Sequence, residues 1–78
     1  MTLGEYRVGL DFNPSGNKTV DKIKRAAADL IDLIDAMEIA YDTLEKQGEI
    51  IRLKALAMTH VEDAAMWAVK AATKKPWS

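Results

Sequence analysis

Apolar residues recur along residues 17–47 in the alternating steps of three and four that are typical of a coiled-coil helix. The repeat comprises Val20, Ile23, Ala27, Leu30, Ile34, Met37, Tyr41 and Leu44. Asn17 or Thr19 can cap the first free N–H groups, and Gly48 is expected to stop the helix. We therefore predict a first long helix over residues 17–47.

A second helix is predicted over residues 49–73, because this segment is rich in Ala and lacks internal Gly and Pro. Its apolar residues form two rows. The rows are Ile50, Leu53, Ala57, Val61, Ala64, Ala68 and Ala71, and Ile51, Met58, Ala65 and Ala72. An antiparallel hairpin has one internal seam, so the surplus apolar face predicts contact with further subunits.

Residues 1–16 precede this hairpin and contain Gly4, Gly9 and a turn-forming run from Asn13 to Gly16. Pro in this run fixes φ, and Asn and Ser side chains bond to nearby backbone. The segment predicts a tethered arm without helix, with a short helix as the alternative. The predicted fold is therefore all-α, a single domain over residues 1–78 that ends in a tail over residues 74–78.

The chain is too small to build a deep core alone. It has 78 residues, with one Phe, two Tyr, two Trp and no Cys. Small domains usually add disulfides, a structural metal or partner subunits, and the composition leaves partner subunits as the simplest choice. The lack of Cys is typical of a reducing cytoplasm, and we expect neither a secretory signal nor a membrane-spanning segment.

A net charge of −1 argues against a protein that binds long nucleic acid. The cations nevertheless concentrate in residues 1–25 and 66–78, and the acids lie between them. An antiparallel hairpin brings both basic segments to one pole, where Tyr6 and Phe12 could stack on a base, as in a nucleotide pocket. The alternative is that the lysines are solvated at helix ends and the two rings staple the arm to the hairpin.

Catalytic and metal-binding patterns are missing from the sequence. His60 is the single histidine, and there is no Gly-rich phosphate loop and no HExxH pattern. Asp29, Asp32 and Asp35 repeat every three residues, which spreads them around a helix, so we expect a solvated face. We therefore expect a protein that is not an enzyme and that holds no metal or cofactor.

Two segments of the chain carry a family resemblance: residues 6–15, YRVGLDFNPS, and residues 59–71, THVEDAAMWAVKA. Together with TVDKIK at residues 19–24, they resemble phage anti-CBASS cyclic-nucleotide sponges over nearly the whole chain. The resemblance implies a homohexamer of helical hairpins in the host bacterial cytoplasm. It would sequester cyclic dinucleotides such as 3′,3′-cGAMP, and in some members cyclic trinucleotides at a separate site, so that CBASS effectors are not activated.

The resemblance also implies a set of ligand-binding residues. They are Tyr6, Arg7, Asn13, Pro14, Ser15, Lys22, Lys24, Thr59, Glu62 and Met66. Tyr6 would stack on a base, the Arg and Lys side chains would contact phosphates, and the Asn-Pro-Ser turn would form a pocket wall. The members from the second helix would face either the ligand or a neighbouring subunit. The alternative function is a structural or regulatory helical oligomer that binds a protein partner and no nucleotide.

Overall fold

Residues 1–39 and 43–77 are described by a computed structural model, and within them the chain forms three α-helices and no strand. Helix α1 spans Leu3–Val8, α2 spans Lys18–Asp35 and α3 spans Leu44–Thr73. The chain measures 57 × 26 × 13 Å, so its smallest dimension is about the diameter of one helix with its side chains. The all-α prediction is confirmed.

Helices α2 and α3 form the predicted antiparallel hairpin. At one end, the side-chain amide of Asn17 donates from Nδ2 to the carbonyl oxygen of Ala72 at 3.1 Å. At the other end, Nζ of Lys54 donates to the carbonyl oxygens of Asp35 at 3.0 Å and Met37 at 2.8 Å. These bonds join the start of α2 to the end of α3 and satisfy carbonyls at the end of α2, which have no partner within that helix.

The predicted boundary between the two long helices is wrong. Helix α2 begins as expected, with Asn17 accepting from Thr19 N, but it ends at Asp35, and Gly48 lies inside α3. Thr43 caps α3 by accepting from Lys46 N, so the second helix starts before the glycine. A helical Gly costs only about 1 kcal/mol relative to Ala and does not by itself stop a helix. The part of the predicted first helix at residues 40–42 lies outside the described residues.

The N-terminal segment contains a helix, so the prediction of an arm without helix is wrong and the short-helix alternative is confirmed. Thr2 and Glu5 form a reciprocal capping box at the start of α1. Gly9, at φ 64°, ends α1 in the left-handed conformation, and the N–H of Leu10 returns to the carbonyl of Glu5 at 3.0 Å. The glycine at position 9 is thus a helix cap rather than a sign of irregular structure.

The buried apolar stripe of α2 differs from the predicted seam. Val20 and Ala27 of the seam are buried, but Leu30 is exposed, and Ala28 and Ile31 are buried in its place. On α3 the buried residues are Met58 and Ala65, both from the second predicted row. The large apolar side chains that stay exposed on the two long helices are Leu30, Leu33, Leu44, Ile51, Leu53, Leu56, Met66 and Trp67, and Met37, just after α2, is exposed as well. No helix in residues 1–39 and 43–77 is both long and apolar enough to cross a membrane.

Helix α1 lies against α2 at a very close contact. A Cβ atom on Gly4 would come within 2.1 Å of the carbonyl oxygen of Ala28, so only glycine fits there. The backbone N–H of Gly4 donates to Oδ1 of Asp32 at 2.7 Å, and Asp32 is half-buried. The expectation of a solvated face is therefore wrong for Asp32, because its carboxylate holds the start of α1.

We expect Gly4→Ala to lower the free energy of unfolding by about 1–3 kcal/mol, because the added methyl group overlaps the α2 backbone and forces the helices apart. Gly48→Ala is the matched control: an added Cβ there meets no atom within 4 Å, and Ala favours the helix by about 0.5–1 kcal/mol. Urea denaturation measures both changes. Equal stability of the two variants would contradict the close α1–α2 contact.

Candidate functional site

Two adjoining clefts open where the N-terminal segment meets the hairpin. The first, here the α1–α3 cleft, has a volume of about 410 Å³ and is lined by Arg7, Val8, Lys24, Glu62, Ala65, Met66 and Val69. The second, here the turn cleft, has a volume of about 320 Å³ and is lined by Phe12, Asn13, Pro14, Ser15, Val20, Lys24, Val69 and Thr73. Shared lining by Lys24 and Val69 places the clefts side by side. Both volumes are typical of small-molecule sites.

The α1–α3 cleft combines apolar walls with an ion pair. Arg7 of α1 donates from Nε to Oε1 of Glu62 on α3 at 3.1 Å, and the two side chains are 21% and 34% exposed. Val8, Ala65 and Val69 supply apolar surface around the pair. Such a cleft can take an anionic group on the guanidinium and the flat, less polar part of a ligand on the walls.

Lys24 forms the wall between the two clefts. The residue is 8% exposed, and its Nζ donates to the carbonyl oxygens of Gly9, at 3.0 Å, and Phe12. The same nitrogen lies 5.5 Å from the centre of the Phe12 ring. A buried ammonium needs such partners, so Lys24 fixes residues 9–12 over α2. An ammonium has three N–H donors, which leaves one beyond the two bonds to carbonyls.

The Asn-Pro-Ser turn is held in place by its own side chains. Asn13 donates from Nδ2 to the carbonyl of Asn17 and to Oδ1 of Asp21, both at 2.9 Å. Ser15 donates from Oγ to Oδ1 of Asn13 at 2.6 Å and accepts from the backbone N–H of Asn17 at 3.1 Å. These contacts fold the turn onto the start of α2 and make it a preformed wall of the turn cleft.

The structure brings most of the predicted ligand-binding residues together. Arg7, Lys24, Glu62 and Met66 line the α1–α3 cleft. Asn13, Pro14 and Ser15 line the turn cleft. The remaining three are exposed and are absent from the lining of both clefts: Tyr6, which is 74% exposed, Lys22 and Thr59.

The predicted basic pole is partly neutralised by ion pairs within the chain. Arg25 donates from Nη1 to Oε2 of Glu5 at 2.8 Å and from Nη2 to Oδ1 of Asp29 at 2.7 Å. The hydrogen bond from Arg25, followed by the backbone bond from Thr2, lowers the pKa of the Glu5 carboxyl. A second cation of the pole, Lys70, places its Nζ 5.4 Å from the centre of the Trp67 ring. Arg25 therefore fastens α1 to α2 and has little capacity left for a ligand.

Sequence reasoning missed several apolar lining residues, above all Val69, which both clefts share. The signal was present on α3, where Glu62, Met66, Val69 and Thr73 follow one another in steps of three and four along one face. Extending the predicted Glu62 and Met66 face by two turns would have included Val69 and Thr73. Val8 had no comparable signal, because its place depends on how α1 folds back onto α2, and Val20 was predicted only as a member of the α2 seam.

We expect Lys24→Met to lower the free energy of unfolding by about 1.5–3 kcal/mol. The substitution removes two hydrogen bonds from a charged donor, so the carbonyls of Gly9 and Phe12 lose the ammonium group as their partner. Lys22→Met, at an exposed position on the same helix, should change stability by about 0.5 kcal/mol or less. Chemical denaturation of both variants measures the difference. Equal stabilities would show that Lys24 does not hold the loop.

A comparison with known protein families finds one that matches most of the chain. The family described as Acb2/Tad1, hairpin domain, matches residues 5–73. The matched range contains α2, α3, most of α1 and every residue that lines the two clefts. No curated protein and no solved structure was found to be similar to the chain.

Proposed function

Because the chain belongs to the Acb2/Tad1 hairpin family of anti-CBASS cyclic-nucleotide sponges, we propose that it binds cyclic dinucleotides such as 3′,3′-cGAMP and sequesters them without cleavage. The family match over residues 5–73 is the observation that carries the proposal, since it includes both clefts. Cyclic trinucleotides are proposed as a second ligand class at a separate site. The protein would act in the host bacterial cytoplasm.

The clefts support this proposal through their chemistry. A cyclic dinucleotide carries two phosphates between planar bases, and the α1–α3 cleft offers Arg7 and the remaining N–H of Lys24 beside apolar walls. The rigid Asn-Pro-Ser turn supplies polar backbone and a shaped wall at the adjoining cleft. Each ligand part thus has a neighbouring group of matching chemistry.

We propose that the chain acts as a homohexamer and that ligand is held where subunits meet. The thin chain leaves large apolar side chains exposed, including Leu33 at 66% and Trp67 at 62%, which neighbouring subunits would cover. Tyr6 and Lys22 are exposed outside both clefts, so in this proposal they reach a ligand that extends across the subunit boundary. A site built from two chains can surround a small ring more fully than one hairpin can.

Sequestration requires only tight, stoichiometric binding. A sponge lowers the free concentration of messenger by mass action when its sites are numerous and its affinity equals or exceeds that of the host receptor. The proposed mechanism therefore has no covalent step. Cations hold the phosphates, apolar walls remove the bases from water, and the ligand returns unchanged when the protein unfolds.

Calorimetric titration of the purified protein with 3′,3′-cGAMP tests the proposal, followed by chromatography of ligand released on heat denaturation. We expect saturable binding and recovery of the intact cyclic dinucleotide. Recovery of linear products would show that the protein cleaves the ligand and is an enzyme rather than a sponge. The absence of binding to every member of a panel of cyclic di- and trinucleotides would contradict the nucleotide-binding function altogether.

A pair of arginine variants tests whether the ligand binds in the clefts. Arg7→Ala should weaken binding at least about tenfold, since a hydrogen bond to a charged group contributes about 1.5–3 kcal/mol. Arg52→Ala removes an arginine of similar chemistry, paired with Glu49 on α3 and absent from both cleft linings, and should leave affinity unchanged. Size-exclusion chromatography should show that both variants assemble like the parent.

The second candidate function is a structural or regulatory helical oligomer that binds a protein partner. The observation that favours it is the exposed apolar surface at the start of α3, which includes Leu44 and Ile51. Lys54 contacts the end of α2, so the first turns of α3 before it extend beyond the shorter helix. Intact assembly without binding of any cyclic nucleotide would favour this second function.

A further inference from the structure

The three arginines of the chain use their guanidinium groups in different ways. Arg25 donates from Nε and both terminal nitrogens to carboxylates, and Arg52 donates from Nε and Nη2 to the two oxygens of Glu49. Arg7 donates only from Nε, to Glu62. Among residues 1–39 and 43–77, Arg7 is thus the arginine whose two terminal nitrogens both lack a hydrogen-bond partner in the chain.

The terminal nitrogens of Arg7 belong to a residue that lines the α1–α3 cleft. A guanidinium offers five N–H donors, and the pair of terminal nitrogens matches two oxygens of a phosphate. Glu62 therefore occupies the Nε side of the group and leaves the phosphate-binding edge available. The bond also crosses from α3 to α1, so it fixes the guanidinium relative to both walls of the cleft.

We propose that Glu62 is a positioning residue for phosphate recognition: it holds Arg7 through Nε so that the terminal nitrogens bind a phosphate of the ligand. This inference rests on the proposed nucleotide-binding function. Glu62 itself, as a carboxylate, would repel a phosphate at close range, so its benefit to binding comes through Arg7. A free arginine side chain samples many rotamers, and ordering it on binding weakens affinity.

Two substitutions separate positioning from charge. Glu62→Ala removes the partner of Nε and should weaken binding of 3′,3′-cGAMP about tenfold, because Arg7 must then be ordered by the ligand. Glu62→Gln keeps an oxygen that accepts from Nε and removes the negative charge, so affinity should stay within about threefold of the parent. Rescue by Gln is the result that a need for the negative charge itself would not give.

The decisive experiment is a double-mutant cycle by calorimetric titration with 3′,3′-cGAMP, with circular dichroism and size-exclusion chromatography to verify fold and assembly. In the Arg7→Ala background, Glu62→Ala should cause no further loss of affinity, because its effect passes through Arg7. A loss that persists in that background would overturn the inference and show that Glu62 contacts the ligand.

Three further outcomes would also overturn the inference. Glu62→Ala binding as tightly as the parent, or more tightly, would mean that Glu62 is neutral or competes with the phosphate for Arg7. Glu62→Gln binding as weakly as Glu62→Ala would mean that the charge itself is needed. Failure of the unsubstituted protein to bind would overturn the proposed function together with the inference, whereas the other outcomes leave that function standing.

Discussion

The ammonium group of Lys24 has little access to water, and it satisfies its charge with the backbone carbonyls of Gly9 and Phe12. Those carbonyls belong to the loop that follows α1, so one side chain of α2 determines where the N-terminal segment lies. Once the loop is fixed, α1 runs back across α2 and Gly4 reaches the backbone of Ala28. Both clefts are gaps that this arrangement leaves beside α3.

The same arrangement explains which parts of the site are rigid. Asn13, Ser15 and Asn17 bond to one another and join the turn to the start of α2, and Asn17 extends the connection to the end of α3. Arg7 and Glu62 make a second connection from α1 to α3. A ligand would therefore meet preformed walls, which reduces the ordering cost of binding. This matters for a proposed sponge, whose effect depends on its affinity as well as on the number of its sites.

Local signals in the sequence predicted local structure well. Asn17 caps α2 as expected, the two long helices pair antiparallel, and the Asn-Pro-Ser run forms a turn beside the helix start. The helix boundary predicted at Gly48 is wrong because helix propensity is a weak constraint. Thr43 provides the cap of α3 five residues earlier. Gly4 and Gly9 contributed to the prediction of an arm without helix, although Gly4 permits a close helix contact and Gly9 caps α1.

The site shows the same division between local and long-range information. Residues from both motifs line the clefts, but the supporting role of Lys24 depends on a loop 12 to 15 residues away, and the partner of Arg7 is 55 residues distant. Pairings at such distances depend on how α1 packs against the hairpin. Because the predicted arm had no helix, the prediction could not include these pairings. Tyr6 and Lys22 remain ligand residues only in the proposed assembly, where a neighbouring subunit would complete their surroundings.

The idea that the seated N-terminal segment and α3 together bind the nucleotide can be tested most directly by NMR. Amide chemical shifts would be followed while 3′,3′-cGAMP is added to the isotopically labelled protein. The largest changes should fall on residues 7–15 and on the face of α3 from Glu62 to Thr73. Changes confined to the start of α3, at residues 44–54, would place the ligand away from both clefts and contradict this assignment.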